Sequence, residues 1–160
     1  MQNNKLIFLD IDGVLNCDTT KEIIVVNGIR YTGIDPRLVA KLNSIIRQND
    51  VRNIVISSSW RKRWTYKQME KMLKDAGLAQ RVTVISQTPL LSTDFSVPRY
   101  EEIESWLRMS RNEYMYLIID DHQDAEIKDH FLLTESHFGL IDQDVHIAKE
   151  IFDYLEEEYI

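Results

Sequence analysis

Short apolar runs alternate along the chain with stretches of helical spacing. Leu6 to Leu9, Asn53 to Ser57, Val82 to Ile85 and Tyr116 to Ile119 read as strands buried on both faces, and Phe131 to Thr134 as a fifth. Between them lie four helical stripes: Leu38, Val39, Leu42, Ile45 and Ile46; Met69, Met72 and Leu73; Ile103, Trp106 and Leu107; and Val145, Ala148, Ile151, Phe152 and Leu155. Strands that alternate with helices predict an α/β fold, a Rossmann-like doubly wound parallel sheet with helices on both faces.

Local signals punctuate this pattern. Asp35-Pro36 supplies an N-cap and a first-turn proline, Thr65 with Gln68 makes a capping box, and Gly77 ends that helix. Glu22 to Thr32 is β-rich around Asn27-Gly28, the dipeptide that best forms a type I′ turn. A loop from about Ser86 to Pro98 leads into the third helix. There is no repeat or Ser/Gly-rich linker, so residues 1–160 read as one domain. The hairpin forms a small flap at about 17–33, and no segment is long enough for a large cap domain.

Composition narrows the setting. At 44% hydrophobic and 28% charged residues, the chain resembles ordinary soluble domains. No apolar run would span a bilayer and no signal-peptide pattern is present. A single cysteine, Cys17, permits no internal disulfide, and a reducing, cytoplasmic location is expected. A net charge of -7 argues against gross attraction to nucleic acid while leaving room for a local basic patch.

The chemistry gathers at strand ends. The first strand runs into Asp10 and Asp12, with Gly13 after them; the second ends in Ser57-Ser58-Ser59; the fourth ends in Asp120-Asp121, with Asp124 close behind. Alternate residues of a strand point the same way, so Asp10 and Asp12 are expected to converge. The carboxyl ends of neighbouring strands line one crevice in such sheets. Four acids there would repel one another unless a cation held them, and carboxylate oxygens suit Mg²⁺, with a phosphate as natural co-ligand. The four histidines show no metal-ligand spacing. Trp60-Arg61-Lys62-Arg63-Trp64 places aromatics around three cations beside the serines, a composition that suits a single-stranded nucleic-acid end.

Asp10-Ile-Asp-Gly-Val-Leu15 resembles the first motif of the haloacid dehalogenase (HAD) superfamily of phosphotransferases, and the other polar clusters fall where that family's remaining motifs fall. The resemblance implies a Mg²⁺-dependent phosphatase, a phosphoric monoester hydrolase. It makes Asp10 the nucleophile that forms an aspartyl-phosphate and Asp12 the general acid/base. Ser57, with Ser58 beside it, and Arg99 would bind the phosphoryl group. Asp10, the backbone carbonyl of Asp12, Asp120 and Asp121 would hold the metal. Arg99 stands where relatives usually have Lys, with Lys62 and Arg61 as competitors for its role.

Ser58-Ser-Trp-Arg61 and Arg99-Tyr-Glu-Glu-Ile-Glu-Ser-Trp-Leu107 resemble the small uncapped phosphatase domains of nucleic-acid repair proteins. This implies a polynucleotide 3′- or 5′-terminal phosphate as substrate, Trp60, Arg61, Lys62 and Trp64 as substrate contacts, and a repair kinase or ligase as partner. A nucleotide or small-metabolite phosphatase and a non-catalytic phosphate-binding module are the alternatives.

Overall fold

Leu6, Ile7, Phe8 and Leu9 are fully buried because their strand, β1 (Lys5–Leu9), lies in the middle of a five-stranded sheet. The computed structural model describes residues 3–94 and 96–158. Phe95, within the expected 86–98 loop, lies outside the described residues. The hairpin strands β2 (Ile23–Val26) and β3 (Ile29–Thr32) precede α1 (Pro36–Asn49) and β4 (Asn53–Ile56). Then come α2 (Tyr66–Asp75), β5 (Thr83–Gln87), α3 (Arg99–Met109), β6 (Met115–Asp120), β7 (Phe131–Leu133) and α4 (Asp142–Glu158).

The sheet runs β5-β4-β1-β6-β7 with every pair parallel, and β2-β3 forms a separate antiparallel flap. At the flap's tip Asn27 (φ 51°) and Gly28 (φ 78°) both take the positive φ that a type I′ turn requires. This is the expected doubly wound α/β fold with a hairpin flap and no large cap domain.

Strand alternation divides the core. Ile7, Leu9, Ile54, Ile56, Leu117 and Ile119 pack with α1, α2 and α4 residues such as Leu42, Met69 and Phe152. Leu6, Phe8, Val55 and Ile118 pack with Ile103 of α3, and Phe8 meets the Trp106 and Tyr116 rings edge-on at 5.5 and 5.7 Å. Any side chain continuing the Leu6-Phe8, Val55 or Ile118 rows therefore faces α3. That phase decides where the polar strand ends point.

Differences from the sequence reading are small. Ser86 belongs to β5 rather than to a loop, because after a register shift at Ile54/Val55 it pairs with Val55, and Gln87 with Ile56. Ile151 packs against the core but is only half-buried, at the edge of the stripe formed by Ala148, Phe152 and Leu155 of α4.

The expected caps are present. Thr65 and Gln68 form the reciprocal capping box. Asp35 caps α1 through Arg37 N–H, and also accepts from the Thr20 hydroxyl at 2.8 Å and the Arg37 guanidinium at 2.7 Å. Chiefly through the Arg37 hydrogen bonds, its pKa is lowered to about 2.

A folded pKa below the unfolded value of 3.8 means stability that is complete above about pH 4 and is lost as pH falls toward 2. Asp35→Ala is expected to cost about 1–2 kcal/mol at pH 7, with the difference from wild type shrinking between pH 4 and 2. Urea melts across that range check it, and a pH-independent difference would contradict the assignment.

Candidate active site

The site begins with register. Leu9 pairs with Ile56 on one side and Ile119 on the other, so the next residue of each strand lies at the same height. The ladder continues one step further: Asp10 N–H donates to Ile119 O at 3.0 Å, and Ser57 N–H to Leu9 O at 2.8 Å. Asp10, Ser57 and Asp120 thus extend the three rows that face α3, at the carboxyl ends of the central strands, where the strand order reverses about β1. At the start of α3 stands Arg99. Its Nη1 lies 3.2 Å from Asp10 Oδ1 and donates to Asp120 Oδ2 at 2.9 Å.

The electrostatics follow from burial. Asp10 and Asp120 are almost wholly enclosed. Burial pushes the Asp10 carboxyl well above the usual carboxylate range, and the neighbouring charges of Asp120 and Asp121 push it further, against the pull of Arg99. Asp120 is raised to about 6, again mainly by burial, with Arg99 and the His122 N–H opposing. Burial works against the Arg99 charge, but the carboxylates of Asp10 and Asp120 outweigh it and raise its pKa.

One oxygen each from Asp10, Asp120 and Asp121 lies within 4.8 Å of the others, a group that could hold a metal ion. The donor set fits a hard divalent cation: three carboxylates, two of them disfavoured as anions by burial and by neighbouring carboxylate charge. Asp121 reaches this group by packing against Gly13, where a Cβ would sit 2.1 Å from Asp121 Oδ2 and φ is 75°. Only glycine meets both demands.

The Asp12 carboxylate stands outside the clustered acids. The chain leaves the strand period after Asp10, where Val14 and Leu15 N–H both donate to Ile11 O in a helical turn. The Asp12 side chain is not one of the clustered acids; it lines a cleft of about 570 Å³ and accepts from Asn16 Nδ2 at 2.8 Å. Asn16, which the sequence reading missed, also accepts from Gly13 N–H and donates to Gly33 O, tying the β1 turn to the base of the flap. Thr134 was missed too; from the end of β7 its hydroxyl donates to Gly13 O at 2.8 Å.

The serine run divides by role. Ser57 Oγ is buried and has no hydrogen-bond partner among the described residues, which leaves an unsatisfied hydroxyl beside Asp10 in the sheet. Ser58 Oγ is taken by Trp60 N–H at 3.2 Å as the cap of the 3₁₀ turn Ser59–Lys62.

Arg61, expected beside the substrate, is instead turned into the fold. Its guanidinium pairs with Glu102 at 3.0 Å and donates to Ser58 O and Thr88 O. A buried cation must be paired, and Glu102 one turn into α3 supplies the partner. The pair braces the serine segment against the helix that carries Arg99. Trp60 is buried and Trp64 half-buried, their rings 5.0 Å apart, and both still line the cleft. Lys62 is exposed at the cleft and donates to Thr93 O. Asp124 caps α3 from outside the helix, accepting from Arg99 N–H at 3.3 Å.

A central β1 ending in a buried Asp, flanked by a serine on one neighbouring strand and an Asp pair on the other, is the arrangement of a HAD-like domain. The chain belongs to the family described as the HAD domain in Swiss Army Knife RNA repair proteins, whose model matches residues 6–145. No curated protein gives a significant sequence match. Among the described residues no helix is long and apolar enough to cross a membrane.

Proposed function

We propose that the chain is a Mg²⁺-dependent phosphomonoesterase that removes a terminal phosphate from RNA through an aspartyl-phosphate on Asp10. The observation that carries this reading is the pairing of Asp10 with the Arg99 cation at 3.2 Å, beside the partnerless Ser57 hydroxyl. The proposed nucleophile thus has a cation at one oxygen and, on the neighbouring strand, a hydroxyl with no partner among the described residues. The RNA end as substrate rests on the family's description and on the open cleft beside the site.

Asp10 attacks phosphorus with one carboxylate oxygen while the bond to the leaving oxygen breaks. Arg99 and Ser57 hold the non-bridging phosphoryl oxygens as charge redistributes. Asp12, beyond the clustered acids and held by Asn16, donates a proton to the departing ribose oxygen. It then takes a proton from the water that attacks the aspartyl-phosphate, releasing inorganic phosphate and restoring Asp10. Asp10, Asp120 and Asp121, with the Asp12 carbonyl, would hold Mg²⁺, which when bound supplies positive charge to the transferring phosphoryl group and favours the ionised form of Asp10.

The test is phosphate release by purified protein from 3′- and 5′-phosphorylated oligoribonucleotides, mononucleotides and an aryl phosphate in parallel. Release from one oligoribonucleotide end is expected, abolished by EDTA and restored by excess Mg²⁺. Turnover confined to mononucleotides or the aryl ester would refute the RNA end as substrate. Activity indifferent to EDTA would refute the metal.

A further inference from the structure

The cleft beside Asp12 has two walls from different parts of the chain: Tyr31 and Thr32 of the flap, and the segment that follows Ser58. They meet where the Arg63 guanidinium lies over the Tyr31 ring at 4.1 Å. Neither residue belongs to the phosphate-handling group around Asp10. Arg63 and Lys62 are exposed cations on a chain of net charge -7, and both line the cleft. Trp60, by contrast, is mostly consumed by the core, and Trp64 packs against it.

From this arrangement we infer that the cleft is the subsite for the terminal nucleoside, with the Tyr31–Arg63 pair as its stacking platform and Lys62 as a contact to the next phosphodiester. The inference rests on the RNA-end reading above and adds to it the residues that grip the nucleoside. Its volume of about 570 Å³ falls within the range of small-ligand sites. An aromatic ring backed by a guanidinium stacks any base, because every base has a π-face, so recognition there is tolerant of sequence. Asp12 lines the same cleft, so a nucleoside seated in it lies beside the group that protonates its departing oxygen. The flap is thereby more than a cover: β3 supplies one half of the platform, and the turn after β4 supplies the other.

The test is equilibrium binding, which needs no turnover. A pentauridylate with a phosphate at one terminus and a fluorophore at the other is titrated with Asp10→Asn protein, reading anisotropy. Tyr31→Ala and Arg63→Ala, each added to that background, are expected to weaken binding about tenfold, and Tyr31→Phe to restore it. Circular dichroism and melting of each variant show whether the flap still folds. Unchanged affinity in both alanine variants, or equal loss with Tyr31→Phe, overturns the platform.

Failure of the pentauridylate to bind the Asp10→Asn parent also overturns it. In that case release of phosphate from the aryl ester by wild type tells the two readings apart. Continued release leaves a phosphatase without this subsite, and none removes the phosphatase reading as well.

Discussion

Asp10→Asn is expected to abolish phosphate release, by a factor on the order of 10⁴ or more, while the protein stays folded. The carboxamide keeps the volume of the side chain but offers no anionic oxygen to attack phosphorus. The structure also says why folding should survive. Asp10 is a buried acid whose charge is opposed by its surroundings and by Asp120 and Asp121. Neutralising it relieves that repulsion, and Arg99 keeps Asp120 as a partner at 2.9 Å. Melting temperature without metal should therefore hold or rise as turnover collapses, an opposite movement that a merely structural residue would not give. Phosphate release and thermal melts on the same preparations check it, and an active Asp10→Asn protein would sink the covalent mechanism.

How far the sequence showed this site depended on whether a side chain's position followed from its own strand. Asp10, Ser57 and Asp120 could be read because each ends an apolar run, and neighbouring parallel strands bring such ends together. Arg99 was found only through the resemblance, as the basic residue standing where relatives usually have Lys, with Lys62 and Arg61 competing for its role. The setting of Asp12 was harder to read because the strand period stops after Asp10, and a helical turn at Ile11–Leu15 has no local apolar signature that sets it apart.

The Trp60–Trp64 run shows a different limit. Three consecutive cations look alike in sequence, yet Arg61 is buried against Glu102, forty-one residues away, while Lys62 and Arg63 face the cleft. Which cation turns inward depends on a partner in another element. Asn16, Thr134 and Tyr31 escaped for the same reason, since their contacts are made with segments that only the folded sheet brings near.

On the proposed mechanism Asp12→Asn should separate the two displacements, with an outcome that depends on the leaving group. Removing a general acid and base costs about 10²- to 10⁴-fold, so steady-state release from an oligoribonucleotide end should fall by that much. The ribose oxygen leaves poorly without a proton, so this substrate should stall before the first bond breaks. An aryl phosphate departs as a stabilised phenolate and does not need the proton. With it the first displacement should proceed in Asp12→Asn, and the second should stall because no base takes the proton from water.

The signature is a burst of about one equivalent of phenol per protein followed by slow turnover, with phosphate retained on the chain. The position of Asp12 makes this separation physically reasonable. It stands outside the Asp10–Asp120–Asp121 group and is held through Asn16, so changing it leaves those three carboxylates in place. Rapid-mixing measurement of phenol release, with intact mass to detect the added phosphoryl group, decides the matter. A variant that retained steady-state turnover within tenfold of wild type on both substrates would remove Asp12 from proton transfer. One that gave neither burst nor turnover on the aryl ester would assign Asp12 to building the site for the first step.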